Sequence, residues 1–110
     1  MNISCEEYDR IAVITVDGEL STDTLGAFKS TIEENVKNNQ SRFVISFEKV
    51  SFIDSEGLEA LLWLKDKCLE NQGDAKLACL DETHAKIMNM TRLDHVFDIH
   101  SQIIEAVKSF

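Results

Sequence analysis

The feature that most constrains this chain is a serine placed between an apolar strand and a helix. The apolar segment runs from Phe43 to Phe47, and residues 51–58 (Ser-Phe-Ile-Asp-Ser-Glu-Gly-Leu) lead from it into a helical pattern. Ser55 therefore stands at a predicted helix start. Serine is a strong N-cap residue because its oxygen accepts hydrogen bonds from the unpaired N–H groups of the first turn. The same N–H groups and the helix dipole favour an added phosphate, so Ser55 is predicted to be a cap that can also act as a chemical switch.

Hydrophobic periodicity predicts a single α/β domain over residues 1–110. The predicted order β-β-α-β-α-β-α-β-α implies a mixed, mostly parallel β-sheet with about four helices. The predicted strands are Ile3–Glu7, Ile11–Val16, Arg42–Phe47, Ala75–Leu80 and Val96–Ile99. The predicted helices are Thr22–Lys37, Glu56–Asn71, Thr83–Met90 and Ser101–Phe110. The third strand is apolar at nearly every position, which is typical of a central strand covered on both faces.

The long helix that follows Ser55 is predicted to be anchored by leucines. Leu58, Leu62 and Leu69 recur at helical spacing and form the expected core stripe. Gly57 in the first turn either lets a partner or a phosphate come close or relieves crowding within the turn. Gly73 lies just past the helix end, where a glycine in the left-handed conformation is expected to cap the C-terminus.

Charge and hydropathy exclude several classes of function. The chain has 20 acidic and 11 basic residues and a net charge of −9, which disfavours binding to nucleic acids and to anionic membranes. No apolar run approaches the roughly 18 residues needed to span a bilayer, and the first residues do not resemble a signal peptide. We therefore expect a cytoplasmic protein that binds neither nucleic acid nor membrane. A basic protein partner is compatible with this charge.

Neither a metal site nor a catalytic site is predicted. The three cysteines, Cys5, Cys68 and Cys79, lack paired spacing and are expected to be reduced thiols. The histidines have no metal-like spacing with these cysteines, so we expect no bound metal. No nucleophile–base arrangement can be argued from residue order, and Ser55 has no evident base. The chain is therefore expected not to be an enzyme.

Four stretches of the chain together resemble the STAS domain, and most of all the bacterial anti-sigma factor antagonists of the SpoIIAA and RsbV kind. Residues 16–24 (Val-Asp-Gly-Glu-Leu-Ser-Thr-Asp-Thr) resemble the Gly-x-Leu turn before the family's first helix, and residues 47–55 resemble the strand and loop that lead to its phosphorylated serine. Residues 73–77 resemble its helix-to-strand turn, and residues 90–97 its closing helix–strand connection. Their order and spacing imply one SpoIIAA-like STAS domain over residues 1–110.

The resemblance implies regulation by partner switching. In such antagonists, an anti-sigma factor that is also a serine kinase phosphorylates the serine of an Asp-Ser-x-Gly motif, which corresponds here to Ser55. The unphosphorylated protein would bind that anti-sigma factor and free a sigma factor; phosphorylation would disable binding, and a serine phosphatase would restore it. ATP belongs to the kinase, so this chain needs no cofactor. Asp54, Glu56, Gly57 and Leu58 would complete the switch loop. Asp54 would orient the serine hydroxyl or hold the loop, or else act as a cap or turn residue.

Further residues are expected at the partner surface. Ser21, Thr22 and Asp23 are predicted to cap the first helix, and the resemblance puts their loop beside the switch serine. Glu59 would enlarge a negative patch that faces the partner. Trp63 lies away from the leucine stripe and is a partner contact, a cover for a neighbouring helix or part of a weak homodimer.

Three residues depart from the family pattern. Glu56 stands where serine or threonine is frequent, Glu59 where a small residue is frequent, and Ser21 where an acidic residue is common. All three lie near the expected partner surface, so the resemblance does not identify the partner. The alternative function is a sensory or small-ligand-binding STAS module of a larger complex, which a tightly held ligand would favour.

Overall fold

A computed structural model describes residues 2–110, and its architecture is the predicted α/β fold with a mixed, mostly parallel sheet; Met1 lies outside the described residues. The described strands are β1 (Asn2–Tyr8), β2 (Ile11–Leu20), β3 (Arg42–Ser46), β4 (Val50–Ile53), β5 (Asp74–Ala78) and β6 (Ile99–His100). The described helices are α1 (Leu25–Lys37), α2 (Ser55–Glu70), α3 (Glu82–Met90) and α4 (Ile103–Lys108), with a 3-10 turn at Leu93–His95.

The sheet follows the order β1-β2-β3-β5-β6, and β1 and β2 form its antiparallel pair. Their hairpin is closed by Asp9 and Arg10, whose φ angles are 55° and 67°. Two consecutive residues with positive φ form a tight turn whose twist matches that of the strands. The pairs β2–β3, β3–β5 and β5–β6 are parallel, because helical crossovers connect these strands along the chain.

The chain between β2 and α2 contains a strand that was not predicted. β2 continues past Val16 to Leu20 and pairs there with β4, after a register shift beside Gly18. Gly18 has a φ of 123°, which a residue with a side chain rarely adopts, and its N–H donates to the Lys49 carbonyl at 3.0 Å. The resulting bulge bends β2 and brings the end of β4 beside it. The predicted strand Val96–Ile99 is found as the two-residue β6, which begins only at Ile99, because the preceding residues leave the 3-10 turn.

Residues alternate between two cores on opposite faces of the sheet. On one face Ile14 and Ile45 pack with α1, α2 and α3 in the larger core, and on the other Val13 and Val44 meet Ala106 of α4. The prediction that β3 is covered on both faces is correct, because its central residues are fully buried. The two faces are referred to below as the α2 face and the α4 face.

The predicted leucine stripe of α2 is wrong. The residues that α2 buries are Gly57, Ala60, Leu61, Leu64 and Cys68. The predicted anchors point elsewhere: Leu62 and Leu69 are 37% and 55% exposed, and Leu58 is only partly buried. The physical reason is the closeness of α2 to the end of β2. A Cβ atom on Gly57 would lie 2.1 Å from the Leu20 carbonyl oxygen, so the helix is oriented with this glycine toward β2. Gly57 thus relieves crowding within the chain.

The predicted left-handed cap at Gly73 is also wrong, since the positive φ of 58° belongs to Gln72. Gly73 is required for a different reason. A Cβ atom at this position would lie 1.8 Å from the Ser41 carbonyl oxygen. The chain entering β5 therefore passes too close to the start of β3 for any side chain.

Candidate functional site

Asp54 caps helix α2, and the prediction that Ser55 is the cap is wrong by one residue. Asp54 has the extended backbone of an N-cap, with φ −107° and ψ −177°, and its Oδ1 accepts a hydrogen bond from the Gly57 N–H at 2.9 Å. Its carbonyl accepts the first intrahelical bond, from Leu58 N–H at 3.0 Å. Ser55 is already the first helical residue, because the chain turns into the helix directly after Asp54.

The same carboxylate joins the start of α2 to the loop that follows β2. The Asp54 Oδ2 atom accepts hydrogen bonds from the Thr22 N–H at 3.0 Å and from the Thr22 hydroxyl at 3.1 Å. The Asp54 N–H donates to the Leu20 carbonyl at 3.4 Å. Together with the bond from the Gly57 N–H, these hydrogen bonds are called the Asp54 clasp below. The clasp joins two segments that are distant in the chain, because Thr22 and Asp54 are 32 residues apart.

The clasp keeps Asp54 ionised. The N–H of Thr22 first, and then the N–H of Gly57, hold the pKa of the Asp54 carboxyl below its usual range, because both hydrogen bonds favour the charged form. The ordinary pKa of an aspartate is already far below neutral pH. A negative charge therefore stands next to Ser55 under physiological conditions.

Ser55 is exposed, and its hydroxyl takes no part in the bonds of the Asp54 clasp. Glu56 beside it is exposed, Gly57 is buried, and Leu58 is partly buried. The predicted switch loop thus combines one free hydroxyl with an anchored backbone. Chemically, the arrangement presents a hydroxyl nucleophile to an outside group that can transfer a phosphoryl group to it.

The outward face of α2 carries the leucines that were expected in the core. Glu59 and Leu62 follow Ser55 by four and seven residues, a spacing that puts all three on one side of the helix. Leu62, Leu69 and Glu59 are all exposed. Phe52, in the strand that leads to Asp54, is 49% exposed. We call Phe52, Leu62 and Leu69 the apolar surface of the switch.

Sequence reasoning missed this surface, although a signal for it exists. Gly57, Ala60, Leu61, Leu64 and Cys68 follow the spacing i, i+3, i+4, i+7 and i+11, which is itself an amphipathic helical pattern. The helix contains two such patterns, and because both include leucines, residue size alone does not identify the buried one.

The loop after β2 does not cap α1 as predicted. The N-cap of α1 is Thr24, and the helix begins at Leu25, three residues later than expected. Thr22 binds Asp54 instead, whereas Ser21 is 5% exposed and donates its N–H to the Thr24 hydroxyl at 3.0 Å. Thr22 and Asp23 are exposed beside the start of α2. Of the three loop residues named from the sequence, these two have side chains that a partner can reach.

Trp63 covers the junction of α1 and α2. Its ring is partly buried against the main core, with Lys29 Nζ of α1 at 5.2 Å and Lys67 Nζ of α2 at 5.6 Å from the ring centroid. Both distances allow a cation–π interaction. Of the three roles predicted for Trp63, these contacts within the chain favour packing over the neighbouring helix α1.

The other cysteine and carboxylate side chains near α2 add neither a reactive thiol nor a metal site to this arrangement within residues 2–110. Burial raises the pKa of Cys68 to about 12, so its thiol stays protonated and unreactive. No group of three His, Cys, Asp or Glu side chains within residues 2–110 is placed to hold a metal ion. Over the same residues, no helix has both the length and the apolar character needed to cross a membrane.

Comparisons with known proteins agree with this fold. The model of the STAS domain family matches residues 2–106. The anti-sigma-F factor antagonist RsfB of Mycobacterium tuberculosis is 25% identical over 107 residues, which cover 97% of this chain and 87% of that protein. The crystal structure of an anti-sigma factor antagonist from Mycobacterium paratuberculosis superposes with a TM-score of 0.88 at 23% identity, covering 98% of this chain and 92% of the other.

The solved structures of SpoIIAA are similar as well. The unphosphorylated form of this anti-sigma factor antagonist gives a TM-score of 0.76 at 19% identity, with 98% of this chain and 96% of the other covered. The phosphorylated form, from Bacillus, gives 0.77 at 21% identity, with 98% of each chain covered. At these identities the structural matches establish the shared fold. Because the family model also spans nearly the whole sequence, this protein belongs to the STAS domain family.

Proposed function

We propose that this protein is an anti-sigma factor antagonist that acts by partner switching. Its unphosphorylated form binds an anti-sigma factor with serine kinase activity and frees a sigma factor. Phosphorylation at Ser55 disables that binding, and a serine phosphatase restores it. The observation that carries the proposal is Ser55 itself, an exposed serine in the first position of α2 on a backbone held by the Asp54 clasp. The names of the relatives, which are anti-sigma factor antagonists, support this role. The proposal places the protein in the bacterial cytoplasm.

The occupied cap explains how a phosphate can act as a switch. Asp54 already accepts the Gly57 N–H, so this donor of the first turn is not available to a phosphate on Ser55. It adds about −1.5 to −2 charges beside the carboxylates of Asp54 and Glu56. This concentrated negative charge faces outward, where it repels an acidic or closely fitted partner.

The apolar surface of the switch supplies the binding energy in this proposal. Phe52 and Leu62 lie on either side of the Ser55 position along the chain, and both are exposed. Buried aromatic and aliphatic side chains commonly form the centre of a protein interface, with polar residues at the rim. Thr22, Asp23 and Glu59 are the rim residues. Trp63, which lies over α1, contacts the partner protein at the edge of the apolar surface.

Phosphorylation is proposed to leave the backbone nearly unchanged. The inner face of α2 is close-packed, with Leu61 and Leu64 fully buried, and the clasp holds its first turn. A large rearrangement would have to break this packing, whereas a local charge blocks an interface without doing so. Amide NMR spectra of the two forms test this point. Shift changes are expected at residues 51–60 and 21–24; changes throughout β6 and α4 would contradict it.

The first experiment tests whether Ser55 is the phosphorylated residue. Incubation of the protein with its kinase and ATP is expected to add one phosphate, which phosphopeptide mapping locates on Ser55. Ser30 is the internal control, because it is also exposed but lies on α1. A stoichiometric phosphate on another residue, with Ser55 unmodified, would rule out the assignment.

The effect on binding is tested by titration calorimetry against the anti-sigma factor. Ser55→Asp is expected to weaken binding about tenfold or more, because it introduces charge into the contact. Ser55→Ala is expected to keep the affinity and lose control by phosphorylation. Ser30→Asp adds the same charge outside the surface and is expected to bind like wild type. Equal affinities for wild type, Ser55→Asp and the phosphorylated protein would contradict the switch.

The apolar surface has its own test. Leu62→Ser is expected to weaken binding to the anti-sigma factor, whereas Ile104→Ser, which changes an exposed isoleucine on the α4 face, is expected to leave binding unchanged. Undiminished affinity of Leu62→Ser would place the interface elsewhere while leaving the phosphorylation test intact.

A further inference from the structure

A cavity of about 370 Å³ opens on the α4 face, away from the switch. It lies at the hairpin end of β2, where Tyr8 pairs with Ile11, whereas the switch lies at the opposite end, where Leu20 pairs with Ile53. Its lining includes Glu6 and Tyr8 of β1, Val13 and Thr15 of β2, and Ile103 and Ile104 of α4. The cavity and the switch therefore share neither a face nor an end of the sheet.

The cavity exists because α4 is too short to cover the sheet. The helix has six residues and contacts β3, β5 and β6, with Ala106 packed among Val44 and Ala78. The β1–β2 hairpin projects beyond it. Ile104 and Tyr8 are consequently 55% and 49% exposed, although both line the same concavity.

The polar side chains of the lining are Thr15, Glu6 and Tyr8, and the others are aliphatic. The Tyr8 hydroxyl donates a hydrogen bond to the Glu6 carboxylate. This bond and the nearby negative charge raise the pKa of Tyr8, so the phenol is neutral at physiological pH. Glu6 is then the charged group among the lining residues, and its charge is negative.

We propose that this cavity binds a small apolar molecule that carries one cationic amino group. Its volume lies within the range of small-molecule sites, which combine apolar walls with a few polar groups that orient the ligand. The apolar part of the ligand lies against Val13, Ile103 and Ile104. The ammonium group lies beside Glu6, where a carboxylate ligand would be repelled. The site is independent of the proposed switch, since it requires neither Ser55 nor a partner protein.

Phenylbutylamine is the probe, and phenylbutanol, a neutral molecule of nearly the same shape, is the matched control. Amide NMR titration of the full chain is expected to shift residues around Tyr8, Val13 and Ile104, with weak affinity suited to so small a ligand. The amine is expected to bind about threefold more tightly than the alcohol, because a partly exposed ion pair contributes only weakly to binding. Phenylbutyrate is expected to bind more weakly than either.

Two variants separate the contribution of the Glu6 charge to ligand affinity from that of the apolar lining. Glu6→Gln is expected to reduce the affinity for the amine to that for the alcohol and to leave the alcohol unaffected. Ile104→Ser is expected to weaken both probes equally. Met90→Ser is the control for a substituted surface residue, because Met90 is an exposed apolar residue of α3 that does not line the cavity. Circular dichroism of each variant checks that the fold is retained.

The proposal is overturned if the shifts occur outside the cavity, or if wild type binds the amine and the alcohol equally. It is also overturned if Glu6→Gln keeps the preference for the amine. None of these results bears on Ser55, and loss of partner switching would leave the probe titration unchanged.

Discussion

The two faces of the sheet are covered by very different amounts of protein. On the α2 face, three helices enclose a core in which Phe28, Ile32 and Leu64 are fully buried. On the α4 face, a single six-residue helix lies over the smaller core and leaves a cavity beside it. Close packing fixes the position of backbone and side chains, whereas a partly covered face retains space that a ligand can fill.

The closer packing of the α2 face favours it as the location of the proposed switch residue. Ser55 gains a defined position because α2 is seated against β2 and because the Asp54 clasp holds its first turn. The same closeness leaves no room for a bound molecule beneath the helix. Substitutions on the two faces are expected to differ widely in their effect on stability.

Gly57→Ala is expected to have the largest effect on stability. Its Cβ atom would lie 2.1 Å from the backbone oxygen of Leu20, so α2 or β2 must move. Urea denaturation is expected to show a loss of about 3 kcal/mol or more in the free energy of unfolding. Gly26→Ala is the matched control, because nothing lies within 4 Å of its added carbon. The control is expected to be neutral or stabilised by up to about 1 kcal/mol. Wild-type stability of Gly57→Ala would contradict the close seating of α2.

Truncation of one side chain on each face is expected to have unequal effects. Leu64→Ala leaves a cavity in the closed core and is expected to lower the free energy of unfolding by about 3 kcal/mol. Ile104→Ala removes a side chain that is already 55% exposed and is expected to cost about 0.5 kcal/mol or less. Urea denaturation of both variants measures the difference. Similar losses would mean that the α4 face is as closely packed as the α2 face.

The Asp54 clasp is expected to make stability depend on pH. The folded-state pKa of Asp54 lies below the unfolded one, chiefly because of the Thr22 N–H. Its contribution is therefore present above the ordinary carboxyl pKa of about 3.9 and is lost as the pH falls through the lowered folded value. Asp54→Asn is expected to be less stable than wild type at neutral pH, and this difference is expected to shrink in acid.

Urea midpoints measured across the acid range test the clasp. Asp23→Asn is the control, since Asp23 is an exposed carboxylate next to Thr22 in the loop that follows β2. A difference between wild type and Asp54→Asn that is constant with pH would show that the ionised carboxylate is not what stabilises the start of α2.

The smallest effect is expected on the α4 face, at the pair formed by Lys76 and Asp98. Lys76 Nζ is 3.1 Å from Asp98 Oδ2 and donates a second hydrogen bond to the Ser109 carbonyl at 3.3 Å. The hydrogen bond from Lys76 holds the pKa of Asp98 below its usual range. Because the Asp98 side chain is 66% exposed, Asp98→Asn is expected to cost about 0.5 kcal/mol or less.

Added salt is expected to reduce this cost further, as urea midpoints at low and high ionic strength would show. A loss as large as that of Leu64→Ala would mean that the α4 face depends on this ion pair more than on its apolar contacts.

Much of the fold could be predicted because local patterns determine it. The apolar run from Phe43 to Phe47 identified the central strand, and the spacing of Phe28 and Ile32 identified α1. The missed strand β4 is only four residues long, with just Val50 and Ile53 buried, so it has no clear alternation. It exists because the bulge at Gly18 aligns β2 beside it, which is a contact between distant parts of the chain.

The sequence predicted where the candidate site lies along the chain, but it did not predict the geometry of the site. The hydrophobic pattern was sufficient to predict that Ser55 lies between a strand and a helix, because hydrophobic periodicity is a local property. The identity of the cap required the folded chain, since the second carboxylate oxygen of Asp54 is held by Thr22, 32 residues away. The structure also decided which side of α2 faces inward. Both faces carry apolar residues at helical spacing, and the choice depends on the Leu20 carbonyl, against which only a glycine at position 57 fits.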